Sequence, residues 1–376
     1  MSLVIDIHAL QTVPPSLINR DDTGAPKSAI FGGVPRQRVS SQSWKRAIRR
    51  YFEQNFDADQ IGDRSKRLPE KIAIRLEKAG LEQDEAISRV QDLFKAAGIK
   101  TAIEKPKKND DSGDEPNPYP RTGYLLFLSQ QQIDRAVEEL LARDGEKPSK
   151  AESKAILDTD HSVDMAMFGR MVADDAAYNV DASVQVAHAI GIHGSTPDFD
   201  YFTAVDDLAE EGEETGAGMI GTVQMMSSTM YRYATINFDG LKDNLVSVDA
   251  ARLAAEHFIE AFVSSMPTGK INTFANQTLP ELVYVAVRDT RPVSLVNAFE
   301  VPIEAEKNVS RRKVAAERLA QEARDVESVY GFKPLAAYVM GIGEAADSFA
   351  EVAEKTTLQE MTKNINEVLE RVVGDQ

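Results

Sequence analysis

The segment LVYVAVRD, Leu282 to Asp289, is apolar on both faces of an extended chain. That pattern reads as a central strand, buried on both sides within a sheet. Leu3, Ile5 and Ile7 alternate with Val4, Asp6 and His8, which predicts a half-buried first strand. VDASVQVAHAIGIHG and MYRYATINFDG have strand composition, and Ala255, Phe258, Ile259, Phe262, Val263 and Met266 fall at helical core spacing. An early strand and helix, a large insertion, then strand, helix and strand give a sheet with helices on one face, an α+β fold. The insertion, from about Asp57 to Met171, is mostly helical, with an exposed loop at Lys105 to Pro120, a short strand at Tyr124 to Leu128 and a helix capped by Ser129. Two C-terminal helices follow, roughly Ala305 to Tyr330 and one after Thr357, which with Glu360 forms a capping box.

A long loop is expected from Thr12 to Val39, and behind it Trp44, Ala47, Ile48, Tyr51 and Phe52 form one arc of a helix. Lys45, Arg46, Arg49 and Arg50 form the other. No Asp or Glu lies between Thr23 and Phe52, although the 376-residue chain carries a formal charge of -17. Lys45 with Arg49, and Arg46 with Arg50, are like-charge pairs one turn apart, which destabilise an isolated helix unless an anion lies across them. Arg36 and Arg38, two apart in an extended segment, extend the same track. Net negative charge opposes nonspecific nucleic-acid binding, so any such binding belongs to this local patch. Conversely, Met171 to Tyr231 contains eleven acids and no Lys or Arg.

Other chemistries find little support. Cysteine is absent, which excludes disulfides, thiolate metal sites and Cys nucleophiles. No G-x-S-x-G elbow or P-loop occurs. GAGMIG, Gly216 to Gly221, matches G-x-G-x-x-G, but an acidic stretch precedes it and β-like sequence follows, whereas a dinucleotide fingerprint leaves a strand and opens a helix. His188 and His193 read as core or surface histidines. Asp158, Asp160, His161 and Asp164 suit the start of a helix better than a metal. Asn19, Arg20, Asp21 and Asp22 fit turn chemistry, with Mg²⁺ held beside a phosphate chain as the alternative. No apolar run approaches a membrane span, and a cytoplasmic protein is expected.

Several blocks resemble the CasC family, the backbone subunit of the type I-E CRISPR surveillance complex Cascade. They are PPSLINRDD, KSAIFGG, RQRVSSQSWKRAIRR, VDMAMFGRM, VAHAI, FTAVDDL, YRYATIN and VSLVNAFE, in order along nearly the whole chain. The resemblance implies a modified RRM-like palm (1–56, 181–193 and 223–376), a helical fingers insertion (57–180) and a thumb hairpin (194–222). Copies would stack head to tail along CRISPR RNA, with other Cascade subunits as partners and target DNA reached through the guide. Arg20, Lys27, Arg38, Ser40, Gln42, Lys45, Arg46 and Arg49 would hold the RNA backbone without reading its sequence. Phe202, Met219 and Ile220, with Met171 of a neighbouring copy, would wedge between bases. No cofactor, metal or catalytic residue is implied. Related type III subunits cut RNA with an Asp of the equivalent early loop, so a Mg-dependent endoribonuclease using Asp22 stays the alternative, beside an RNA-binding module acting alone. Head-to-tail contact joins two different surfaces of one chain, and the acidic thumb, with Asp206 and Asp207, is expected to dock on basic surface of the next copy.

Overall fold

The computed structural model describes residues 2–103, 117–204, 219–304 and 309–374. Packing divides them into two units, one of 1–51, 185–239 and 252–376, the other of 52–184 and 240–251.

A ten-stranded sheet organises the first unit. Its main path runs Glu354–Lys355, Ala336–Gly341, Leu282–Arg288, β1 (Val4–Ser16), Met219–Asn237, Ala189–Gly191, β3 (Val34–Val39) and β2 (Ser28–Phe31). The strands pair antiparallel except the first two of that path, which are parallel. With helices α1 (Ser41–Asn55) and Val248–Ser264, the central four strands make a β-α-β-β-α-β unit in which the fourth, first, third and second lie side by side. Leu282–Arg288 is buried throughout, as its two apolar faces require. The α+β class expected from sequence is the one observed.

Three expectations change. β1 is buried on both faces rather than half-buried, because one face packs under helix Arg311–Tyr330 and the other under α1, and its polar residues find partners inside. Asp6 accepts from Arg288 Nε at 3.2 Å, Tyr233 Oη at 2.9 Å and Val293 N at 3.0 Å. The His8 ring bonds Tyr231 Oη at 2.9 Å, and burial pushes its pKa down to about 3. Second, the region from Thr12 to Val39 is not one loop. β1 continues to Ser16, its register slipping between Val13 and Ser16 around Pro14 and Pro15, which have no N–H to donate. β2 and β3 then form a hairpin whose Gly32 and Gly33 have φ of 59° and 78°, the left-handed pair that a two-residue turn needs.

Third, helices cover both faces of the sheet. Helix Arg311–Tyr330 packs Ala315, Ala316, Leu319, Ala320 and Ala323 into the cluster that contains Leu10, Tyr284, Ala286 and Val339. Its small side chains let the helix approach closely. On the opposite face, α1 supplies Trp44 to a cluster with Val13, Ile18, Val39, Ala189 and Met230. Helix Val248–Ser264 joins the C-terminal helix Leu358–Gly374 through Arg252, which donates to Asn366 Oδ1 at 2.7 Å and Glu370 Oε2 at 3.0 Å. The Thr357–Glu360 capping box is present, Thr357 N donating to Glu360 Oε2 at 3.2 Å and Glu360 N to Thr357 Oγ1 at 3.4 Å.

The second unit is mainly helical, with helices Leu68–Lys78, Gln83–Ala96, Gln130–Ala142, Lys150–Leu157 and Val163–Phe168. Ser129 and Gln132 form the capping box of the third. The expected strand near Tyr124 is Leu126–Ser129, paired with Gly62–Ser65. No described helix is long and apolar enough to cross a membrane.

Candidate nucleic-acid interface

The basic segment is folded around one side chain. Asn19 Oδ1 accepts from Ser40 N at 2.9 Å, Asn19 O accepts from Lys27 N at 3.0 Å, and Lys27 O accepts from Arg38 N at 2.9 Å. Arg20 lies beside Asn19 in a bridge with Pro26. Arg20, Lys27, Arg38 and Ser40, twenty residues apart in sequence, are thereby gathered at the head of α1. The turn between Arg20 and Lys27 is closed by Asp21, whose Oδ1 accepts from Thr23 Oγ1, Thr23 N and Ala25 N at 2.7, 2.9 and 3.0 Å. Those bonds, the Thr23 hydroxyl foremost, hold its carboxyl below the usual range. Asp21 is thus used as a turn former, as its residue type favours. Asp22 is exposed, and no group of three or more metal-ligating side chains gathers among the described residues.

Arg38 Nη1 donates to His188 Nδ1 at 2.9 Å. Guanidinium has only donors, so the imidazole is neutral on that nitrogen. Burial and then the nearby charges of Arg38 and Lys27 push the His188 pKa down. His193, buried, contacts the Gly194 carbonyl and Thr229 N, whereas His188 lies at the surface beside Arg38.

The helix α1 buries Trp44, Ala47, Ile48 and Phe52 and exposes Gln42, Arg46 and Arg50, with Lys45 and Arg49 half-buried along the flank. Burial lowers the Lys45 pKa. What fixes the helix is not visible in its own sequence. The guanidinium of Arg232 stacks 3.7 Å from the Trp44 ring centroid and 4.3 Å from that of Phe262. It donates to Gln11 Oε1 and Phe262 O, both at 2.5 Å. A buried cation held by two rings and two neutral oxygens is a costly anchor, and burial pushes its pKa down to about 9.

Arg36 is a correction. It does not share the track of Arg38 but is fully buried, because carbonyls of its own hairpin, of the strand Ala189–Gly191 and of the VSLVNAFE segment converge on it. Its guanidinium donates to Phe31 O (3.1 Å), Gly191 O (3.0 Å), Phe299 O (3.2 Å) and Glu300 O (3.0 Å). It clamps the β2–β3 hairpin onto the VSLVNAFE segment, where a Cβ on Gly32 would stand 1.7 Å from Glu300 O.

The expected thumb contains the hairpin of Asp198–Ala204 with Met219–Asn237, paired from Asp198 with Met225 to Ala204 with Met219. The second arm is continuous with the long strand of the central sheet. Phe202 is 38% exposed and lies opposite Gly221, where a Cβ would stand 2.4 Å from the ring. Met219 and Ile220 occupy the last two paired positions. Phe199 and Tyr201, 68% and 63% exposed, share the other face of the arm by strand alternation and were not singled out from sequence. Strand parity would have found them. Met171, in the second unit, is 79% exposed. Asp206 and Asp207 lie outside the described residues, as does the start of GAGMIG, but its last three residues open a strand rather than a helix.

The acidic cluster of the second unit is structural. Asp158 pairs with Arg170, Asp160 with Arg135, and Asp164 Oδ1 accepts from Gly62 N at 3.0 Å and Ser162 Oγ at 2.8 Å.

Sheet order and helix placement define an α+β protein with an RRM-like palm, elaborated by a helical unit and a long hairpin. Solved structures share this architecture. A chain of a CRISPR RNA-guided surveillance complex in a pre-nicking state is 33% identical, with a TM-score of 0.83 over 97% of this chain and 100% of that one. A chain of another CRISPR RNA-guided surveillance complex is 29% identical, with a TM-score of 0.73 over 96% and 99%. No curated protein matches. The family model described as CT1975-like protein matches residues 5–369, and the chain belongs to that family.

Proposed function

We propose that this chain is a CRISPR RNA-binding backbone subunit of a type I-E Cascade complex, which stacks head to tail along the guide and presents it for pairing with target DNA. The observation that carries this reading is the gathering of Arg20, Lys27, Arg38 and Ser40 around Asn19, at the head of a helix whose open face bears Gln42, Arg46 and Arg50. Exposed cations such as Arg20 and Arg46 suit phosphates, which position a strand without specifying sequence. Guide pairing then supplies the specificity. Phe202, with Met219, Ile220 and a neighbouring copy's Met171, divides the bases into segments, and Phe199 and Tyr201 add aromatic area to the same arm. The role is structural rather than catalytic. Other Cascade subunits complete the particle, which works in the cytoplasm.

Replacing Arg20, Lys27 and Arg38 by Gln tests this. Three lost phosphate contacts lower the slope of log affinity against log salt by about 2, equally for RNAs of unrelated sequence. Unchanged affinity and slope would overturn the assignment. RNA shortening that needs both Mg²⁺ and Asp22 would replace the scaffold with an endoribonuclease.

A further inference from the structure

Between the helix Val248–Ser264 and the strand Leu282–Arg288, residues Ser265 to Pro280 contain no Asp or Glu, and the only charge is Lys270. Gly269 lies flat against the chain leading into Asn19 and Arg20. A Cβ there would stand 2.3 Å from Ile18 O and 2.8 Å from Leu17 O. Lys270 (φ 52°) and Ala275 (φ 45°) both adopt the left-handed conformation that residues with a Cβ avoid. Asn276 is 2% exposed, yet neither its amide nitrogen nor its amide oxygen has a partner, whereas buried polar groups are nearly always bonded. The far end is tied down, Gln11 Nε2 donating to Thr278 O at 2.6 Å and Thr278 Oγ1 to Thr12 O at 2.7 Å. Strain of this kind persists only where the surroundings enforce it, and it concentrates at ligand sites.

The segment exposes Thr268, Lys270, Asn272 and Thr273. Gly269 touches Ile18, two residues before Arg20, so the Cα spacing along each chain keeps Lys270 and Arg20 within roughly 15 Å. Side chains of that length can close such a gap onto successive phosphates of one strand. We propose that Lys270 is a further phosphate-binding residue, and that the strained turn Thr268–Asn276 is a preorganised second wall of the groove formed by the Asn19 loop. This rests on the RNA-backbone reading above.

Lys270→Gly separates function from fold, because glycine accepts the left-handed turn without strain. In the full chain, urea unfolding should be unchanged or shifted to higher denaturant. Affinity for oligouridine should fall several-fold and its salt slope by about 0.7, while Lys270→Arg retains both. If Lys270→Gly leaves affinity and slope unchanged while Arg38→Gln weakens them, this inference fails alone. If neither variant has an effect, the underlying RNA reading fails. Equal loss of stability and affinity in Lys270→Gly and Lys270→Arg would make the turn purely structural and overturn the proposal.

Discussion

Arg36 and Arg46 lie ten residues apart in one basic segment, yet Arg36 is buried and Arg46 exposed, and replacing each tests the different roles proposed for them. Arg36→Met removes four hydrogen bonds, two of them to buried carbonyls, Gly191 O and Phe299 O. An unsatisfied buried carbonyl costs about 1–3 kcal/mol, and the two at the rim can be rehydrated. Methionine fills part of the space and removes a buried cation, which offsets some of the loss. A net destabilisation of about 2–4 kcal/mol follows. Arg46 is exposed on α1, so Arg46→Gln should change stability by no more than about 0.5 kcal/mol. The assay pairs urea unfolding with RNA binding over a salt series. Arg36→Met should lower the unfolding midpoint and leave the salt slope as it was. Arg46→Gln should leave the midpoint and lower the slope by about 0.7. If Arg36→Met kept full stability and lost slope, the clamp reasoning would be refuted and Arg36 would belong to the RNA track.

Trp44→Ala should cost about 4 kcal/mol as a buried-aromatic truncation, and should also weaken RNA binding without removing a charge, since Trp44 and Arg232 fix the helix; binding that survives at a denaturant level where the variant is still folded would argue against that anchor. His8, neutral with a pKa near 3 in the fold and near 6.5 when unfolded, takes up a proton in the unfolded chain first. Its contribution is complete above about pH 6.5 and is lost as pH falls towards 3, at about 1.4 kcal/mol per unit. Wild type minus His8→Asn, compared by urea unfolding across that range, should show this slope, and parallel curves would contradict it. Gly221→Val should drive the Phe202 ring off the hairpin; chemical probing of bound RNA should then lose its regular pattern of reactive bases, and an unchanged pattern would remove Phe202 from the wedge.

The central strand, the exposed helix arc, the Ser129 cap and the Thr357–Glu360 capping box were legible because each depends on residues close in sequence. What could not be read depends on distant partners. Asp6 reads as a solvent-facing residue until Arg288 and Tyr233 are brought to it. Arg36 has the same alternation as Arg38, and only the approach of Gly191, Phe299 and Glu300 buries it. Asn19 is indistinguishable from any turn residue until Ser40 and Lys27 bond to it. The two-face cover of the sheet was missed because the alanines of Arg311–Tyr330 make a weak apolar stripe whose value lies in close packing.

The most direct test of the backbone reading is a mass-resolved titration of the full chain onto RNAs of increasing length with Mg²⁺ present. The account expects bound copies to rise in even steps with length while the RNA stays intact, the step giving the stretch held by one subunit. A copy number that stays fixed as the RNA lengthens, or RNA that is shortened, would contradict it.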